Sequence, residues 1–329
     1  MSELTPEPAL NFKSISYTGL APGPRVIILG AVHGNETCGT RAILRVVDDL
    51  DHGRLNVVGG RVTFVPTTNP LAYARGEREG ERNLNRNLGP TEHPVEFEDR
   101  VANWLCPLLA QHEVLLDLHS FQAHNEPFVM IGPLDNSGDL QPFALAGPER
   151  ALARHLGVRR CVDGWLGTYA LGVERRIRQT LAAGRTPDAT SEDPRYGVGT
   201  TEYMRSVGGY ALTLECGQHS DPAAPEVAYQ AIRRTLSCLG MMSAPALAHD
   251  AVADIEALSL YEVIDKQHAD DSFSRPWGSF DRLAKGDLIG TRQDGTPVVA
   301  AGDAVILFPD AKAKAGREWF YLARANPDF

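Results

Sequence analysis

The stretch RVIILGAVHGNE, residues 25–36, decides how the rest of the chain is read. Its first part, Arg25 to Ala31, is an apolar run of the kind found in strands covered on both faces. From Cys38 to Leu50 the apolar positions Ala42, Ile43, Val46, Val47 and Leu50 recur at spacings of three and four. That spacing predicts a helix with one buried stripe. Between strand and helix, His33 leaves the carboxyl end of the strand, Gly34 lets the backbone turn tightly, and Glu36 stands where the helix begins. An imidazole and a carboxylate are thereby delivered to one point.

The same strand-then-helix texture continues outward. RVTFVP (61–66) reads as a second strand, and Val95 to Gln111 as a helix with Val101, Trp104, Leu105 and Leu108 on one side. EVLLDLHS, PFVMIG near Phe128 and YALTLE (210–215) read as strands, whereas Pro142 to Leu156 and Ala224 to Leu239 read as helices. Strands alternating with helices predict an α/β layer architecture. Between Asp163 and Gly199 the pattern degrades into a polar stretch rich in Gly, Pro and charge. That stretch is long for a plain connection, so it is either a lid or binding loop or a tolerated surface insertion. After MMSAPALAHD the texture changes to short alternating segments such as LSLYEVI, TPVVAA and AVILF. The expected organisation is a main α/β domain over residues 1–249, with an insertion at about 163–200, and a small β-rich domain over 250–329.

Composition narrows the function classes. At 329 residues and 43% hydrophobic, the chain has enough apolar material for a substantial core. A formal charge of −10 argues against general nucleic-acid or anionic-membrane binding, because both rest on basic patches. No run of 18 apolar residues and no charged-then-apolar leader occurs, so a cytoplasmic protein is expected. Cys38, Cys106, Cys161, Cys216 and Cys238 are odd in number and widely spread, which suggests neither a disulfide framework nor a thiolate metal site.

A catalytic zinc commonly takes three protein ligands and leaves a fourth position open, two histidines and a glutamate being one established set. His33 and Glu36 supply two. His93 and Glu96 have the same spacing, but His93 precedes a proline in a polar loop with no strand before it, so Glu96 is assigned to the opening turn of a helix. The third candidate is His119 in LLDLHS. Asp117 lies two residues earlier on the same strand face, placed to orient a ligating imidazole or a substrate-binding arginine. His112, His124 and His219 are the spare histidines, with His219 the first substitute.

Water activated at such a centre still needs a carboxylate close by to take its proton and pass it to the leaving nitrogen. Glu215 fits, because it ends the strand YALTLE and would be held at the mouth of the sheet. Arg75, Arg78, Arg82 and Arg86 are spaced as on a helix, but Gly76 and Gly80 disfavour one at about 1 kcal/mol each. A glycine-rich arginine loop suits carboxylate recognition, since guanidinium forks bind carboxylates in bidentate fashion.

These residues resemble the succinylglutamate desuccinylase/aspartoacylase family of zinc hydrolases, relatives of the zinc carboxypeptidases. The resemblance is carried by HGNE at 33–36, NP at 69–70, Arg78 through LNR at 84–86, DLH at 117–119 and RSVGGYALTLE at 205–215. It implies a carboxypeptidase-like three-layer α/β/α mixed sheet with a smaller C-terminal β-rich domain over the active-site mouth. It also implies one Zn2+ per chain on His33, Glu36 and His119, with Glu215 as general base. Arg78 would polarise the scissile carbonyl, Asn85 and Arg86 would hold a substrate carboxylate, and Arg205 would bind a second one. Asn83 departs from the acidic residue often found two before the NR pair, and the 163–199 stretch has no obvious counterpart in aspartoacylases.

Three functional readings follow. The first is a zinc amidohydrolase cleaving a small acidic N-acyl amino acid, of the N-succinylglutamate or N-acetylaspartate kind. The second is a zinc carboxypeptidase acting on peptides with the same metal set. The third is a catalytically silent protein that binds an acidic ligand in the same cleft. Oligomeric state is left open, with a homo-oligomer compatible.

Overall fold

The computed structural model describes residues 10–122, 125–187, 193–242 and 254–329. His124 and the boundary expected near residue 250 lie outside the described residues. In chain order the elements are β1 (Ile15–Thr18), β2 (Ala21–Gly30), α1 (Cys38–Asp51), β3 (Gly59–Val65), α2 (Pro70–Arg75), α3 (Phe97–Leu109) and β4 (Val114–Phe121). Next come β5 (Phe128–Met130), α4 (Ala146–Ala153), β6 (Arg160–Asp163), α5 (Trp165–Ala182), a 3-10 turn at Pro194–Gly197, α6 (Thr200–Ser206), β7 (Tyr210–Gln218) and α7 (Ala224–Cys238). The remainder is β8 (Glu256–Asp265), β9 (Ser272–Phe273), β10 (Arg282–Leu283), β11 (Leu288–Thr291), β12 (Pro297–Val299), β13 (Ala304–Leu307) and β14 (Glu318–Ala325).

Among the described residues these strands make an eleven-stranded mixed sheet in the order β1-β3-β2-β4-β7-β5-β6-β8-β14-β13-β10, with β12-β11-β9 forming a second, small sheet. The apolar runs occupy its parallel centre, where β2 pairs with β3 and β4, and β4 pairs with β7. Period-two alternation then sorts side chains to two faces. Val26, Ile28, Leu116, Leu118, Leu212 and Leu214 meet α1 and α7 on one face. Ile27, Leu29, Leu115 and Ala211 meet α3 and α6 on the other. The fold is the expected carboxypeptidase-like α/β/α arrangement. No helix among the described residues is long and apolar enough to cross a membrane.

Two parts differ from what the pattern suggested. The stretch after Asp163 is not a loop but the 18-residue helix α5, which packs on β8. Its buried positions include Thr168, Ala170 and Gly172, and a Cβ on Gly172 would lie 2.6 Å from Val263 Cγ1. These small or polar contact residues, interleaved with the buried Leu166, Tyr169 and Val173, dilute the apolar period. The strands beyond residue 254 have apolar clusters of their own, around Leu260 and Tyr321 on one side and Trp319 and Ile306 on the other. Their backbone nevertheless extends the main sheet, because β8 lies parallel to β6 from Arg160↔Glu256 to Asp163↔Ser259.

One ion pair closes the layer around α4, α6 and β7. Arg205 Nε donates to Glu149 Oε2 at 3.0 Å and its Nη2 donates to the Ala211 carbonyl at 2.7 Å. The same Glu149 accepts from the Ala211 amide at 2.8 Å. Both side chains are almost fully buried, at 2% and 1% exposed. Removing one member of such a pair leaves an uncompensated charge in the interior. Glu149→Ala is therefore expected to cost about 3–5 kcal/mol of unfolding free energy in chemical denaturation, whereas Glu226→Ala, which breaks an exposed pair with Arg45, is expected to cost under about 1 kcal/mol.

Candidate metal centre

The centre sits where β2, β4 and β7 end. After Gly30 the chain turns through Ala31 at φ 48°, a left-handed conformation held by the Asn69 amide donating to the Ala31 carbonyl at 3.0 Å. Glu36 N then donates to His33 O at 3.1 Å, so His33 and Glu36 emerge from one tight turn. Gly34 is required by proximity, since a Cβ there would lie 2.0 Å from the Ala72 carbonyl carbon of α2. On β4, Asp117 and His119 share a face as the strand period demands.

His33, Glu36 and His119 converge, with ligand atoms all within 4.8 Å of one another and all three side chains buried. His33 Nδ1 lies 2.9 Å from Glu36 Oε1, and His119 Nδ1 lies 2.9 Å from Glu36 Oε2. Oxygens stand at the outer ring nitrogens: His33 Nε2 is 3.1 Å from Asn83 Oδ1, and His119 Nε2 has Asp117 Oδ2 at 3.0 Å as an ion-pair neighbour without hydrogen-bond geometry. An imidazole that donates through Nε2 presents a lone pair at Nδ1. Both Nδ1 atoms and the carboxylate therefore face one point, a donor set that fits a divalent cation of the zinc type. The three residues could hold a metal ion. His93 and Glu96 are not part of this group; Glu96 precedes α3, with its amide donating to Asp99 Oδ2.

The electrostatics agree with a site that exchanges a proton for a cation. Burial opposes charge on His119, but Asp117 and Glu36 outweigh it and raise its pKa well above the usual histidine value. Burial and the Arg78 guanidinium push His33 down to about 4. Burial likewise opposes ionisation of Glu36, yet the two imidazoles hold its pKa well below the ordinary carboxylate range. Glu36 also accepts from the Ser120 amide at 3.0 Å and from Arg78 Nη1 at 2.9 Å.

Glu215 lies directly across from His119 in the β4–β7 register. Its Oε2 is buried without a hydrogen-bond partner. Burial first, and the nearby Glu36 second, push its pKa up to about 7. A carboxyl with that value changes charge readily at neutral pH.

The arginine loop is organised by Glu98, a fully buried carboxylate that accepts from the amides of Gly80, Glu81 and Arg82 and from Asn69 Nδ2. α2 stops at Arg75, where Gly76 takes a left-handed conformation. Of the four arginines, Arg82 pairs with Glu96 and Asp99 and Arg75 bonds the Gly80 carbonyl. Arg78 reaches the metal group, and Arg86 lies with its guanidinium 5.0 Å from the Trp165 ring centre. Asn85 Oδ1 accepts from the Thr200 amide at 2.9 Å, while Thr200 Oγ1 donates to Asp117. The loop is thereby tied to the His119 side of the centre.

Arg205 is not brought to this group. Its spacing to Glu215 is as expected, but its side chain turns into the layer beneath α6, where Glu149 and the Ala211 carbonyl take its donors. Residues the sequence reading left without a role also emerge. Asn83 holds both His33 Nε2 and the Asn85 amide. Ser120 Oγ lies 2.8 Å from His219 Nδ1, which puts His219 beside the centre and outside the ligand set. No local pattern marks Thr200 or Asn83; the one available signal was that Asn83 stands where relatives often carry an acid.

Fold and site together define an α/β protein of carboxypeptidase-like layout with a two-histidine, one-carboxylate group at its parallel strand ends. Residues 22–134, which contain the HGNE, NP, LNR and DLH motifs, match the family model described as the succinylglutamate desuccinylase/aspartoacylase catalytic domain. Among solved structures, a succinylglutamate desuccinylase/aspartoacylase from Rhodobacter sphaeroides superposes with TM-score 0.69 at 16% identity, covering 96% of this chain and 90% of that one. The succinylglutamate desuccinylase of Vibrio cholerae gives 0.69 at 19%, covering 95% and 85%. The product-bound ectoine utilization protein EutE (DoeB) of Ruegeria pomeroyi gives 0.67 at 17%, covering 94% and 88%. No curated protein sequence matches the chain.

Asp117 and Glu36 favour the protonated form of His119, and a divalent cation on its Nδ1 would compete with that proton. Zinc titrations in buffers of different ionisation enthalpy are expected to show proton release near neutral pH and affinity that rises with pH. Asp117→Asn, which removes the charge behind His119, is expected to weaken zinc roughly 10–100-fold.

Proposed function

We propose that the chain is a zinc-dependent deacylase that hydrolyses the amide bond of an N-acyl amino acid. The observation that carries this reading is the convergence of His33, Glu36 and His119 beside the unpartnered Glu215 carboxyl and the Arg78 guanidinium. A divalent ion on the three ligands supplies a Lewis acid and lowers the pKa of water.

The protein's own residues account for the remaining steps. Glu215 takes a proton from the water that attacks the carbonyl carbon. It passes that proton to the amide nitrogen as the C–N bond breaks, leaving a carboxylate and a free amine. Its unshared Oε2 and a pKa near 7 suit a group that must both accept and return a proton. With a cation held by His33, Glu36 and His119, the Glu215 carboxyl would be favoured in its base form. Arg78 is half exposed and flexible enough to leave Glu36 for the developing oxyanion. Arg86, with Asn85 beside it, receives the α-carboxylate through a guanidinium whose only side-chain hydrogen bond among the described residues is to the Asn85 carbonyl at 2.8 Å. With Arg205 committed to Glu149, the site has one anion grip on the amine side, which distinguishes it from the doubly acidic arrangement the resemblance implied.

Elemental analysis is expected to find close to one zinc per chain, and an amine-release screen over N-acyl amino acids is expected to find turnover. Glu215→Gln is expected to keep the zinc while lowering kcat roughly 10²–10⁴-fold. Arg78→Ala is expected to lower kcat roughly 10²–10³-fold with zinc retained. Zinc lost from the Gln variant, or full rate kept by it, assigns Glu215 another role.

A further inference from the structure

The front face of the sheet is uncovered at one place. Thr213 of β7 and Met130 of β5 are cross-strand partners on interior strands, yet both remain partly accessible. Interior strand residues stay accessible only where no helix covers them, so these two form the floor of a depression. It begins beside the proposed base, because Thr213 is on the same face as Glu215, two residues away.

The rim of that depression is traceable group by group. On the polar side, a chain of contacts beneath it, buried at His119, Asp117 and Thr200, runs from His119 through Asp117, Thr200 and Asn85 to Arg86. From Arg86 the rim continues over Trp165, whose ring centre is 5.3 Å from that of Tyr321. Tyr321 meets Phe308 edge-on with ring centres 6.1 Å apart, and Phe308 lies 5.9 Å from Phe128, the register partner of Glu215. The circuit thus closes on the base. Half of it is polar and leads to one arginine; the other half is an aromatic wall supplied by α5 and the C-terminal strands. Met130, Trp165 and Phe308 are partly exposed where they pack against the apolar cluster of this region. The Tyr321 hydroxyl is buried with no hydrogen-bond partner.

The charges nearby are already balanced. Arg175 and Arg176 both pair with Asp265, Arg176 Nη2 lies 3.4 Å from Glu318 without a hydrogen bond, and Arg205 pairs with Glu149. A second carboxylate on the amine half of a substrate would meet ring faces and the neutral Tyr321 hydroxyl, and would compete with Glu318 for Arg176, so it would lose more hydration than these groups return.

We propose, resting on the deacylase reading above, that the amine half of the substrate is an amino acid with an apolar or aromatic side chain. Its α-carboxylate lies on Arg86 and its side chain sits on Thr213 and Met130 against the wall of Trp165, Tyr321 and Phe308. This names a substrate class that the similarity to desuccinylases and aspartoacylases does not suggest.

The test pairs binding with turnover on the zinc-supplemented protein. N-acetyl derivatives of L-phenylalanine, L-leucine, L-aspartate and L-glutamate, with N-succinyl-L-glutamate, are measured by calorimetry and by amine release. The apolar pair is expected to bind and turn over at least about tenfold better than the acidic ones. Trp165→Ala, checked for an unchanged melting profile, is expected to raise KM for the phenylalanine derivative roughly tenfold or more while reducing the phenylalanine-over-leucine preference. Tighter binding of the acidic derivatives, or no binding of the apolar pair, overturns the proposal. Apolar derivatives that bind at the expected ratio but are not hydrolysed uphold the pocket and overturn the deacylase reading instead.

Discussion

The Glu36 carboxylate is the group on which the site depends. Its two oxygens are divided between His33 and His119, the Ser120 amide shares one, and Arg78 reaches the other. A buried carboxylate stays ionised only when several donors compensate its lost hydration, and here those donors come from the strand β4, the turn after β2 and the arginine loop. The backbone of each is set for that purpose. Ala31 accepts a left-handed φ, and Gly34 lets α2 approach within contact of the turn. Strain of this kind persists where the surrounding structure over-determines it, and it gathers at functional sites.

Around that carboxylate the supporting groups form layers of decreasing charge. Asp117 and Asn83 stand at the outer nitrogens of the two imidazoles, Thr200 and Asn85 connect Asp117 to the arginine loop, and Glu98 holds the loop backbone. Asp117, Asn83, Thr200, Asn85 and Glu98 each make at least one hydrogen bond, while among the described residues Asp117 Oδ1 and His119 Nε2 are left without one. Orientation of the ligands therefore propagates to Arg86 without any flexible intermediate.

Much of this was legible in the sequence because its signals were local. The apolar runs at 25–31, 114–118 and 210–214 could only be covered strands, and the side chains at their carboxyl ends, His33, His119 and Glu215, inherit their positions from that fact. What was not legible depended on partners distant in the chain. Arg205 stands ten residues before Glu215 as a substrate-binding arginine would, but Glu149, 56 residues earlier, captures it. Nothing in the spacing reveals that competition. α5 was hidden because the large buried residues Leu166, Tyr169 and Val173 are interleaved with the small or polar Thr168, Ala170 and Gly172, and the continuation of the sheet through β6 and β8 was hidden because a short alternating strand reads the same whichever neighbour it joins. Asn83, an apparent departure from a family pattern, has a place in the site that its spacing did not announce, with its amide oxygen 3.1 Å from His33 Nε2.

The β6–β8 seam has a consequence for how the protein works. Four consecutive residue pairs weld the C-terminal strands to the catalytic sheet through main-chain hydrogen bonds. A clamshell opening at that line would have to rupture a ladder in the interior of an eleven-stranded sheet. Tyr321 and Phe308 are consequently carried on a fixed frame relative to Glu215, so ligand selection on that side is a matter of preformed shape, and traffic in and out of the cleft must use side-chain and loop motion on the α5 and arginine-loop side.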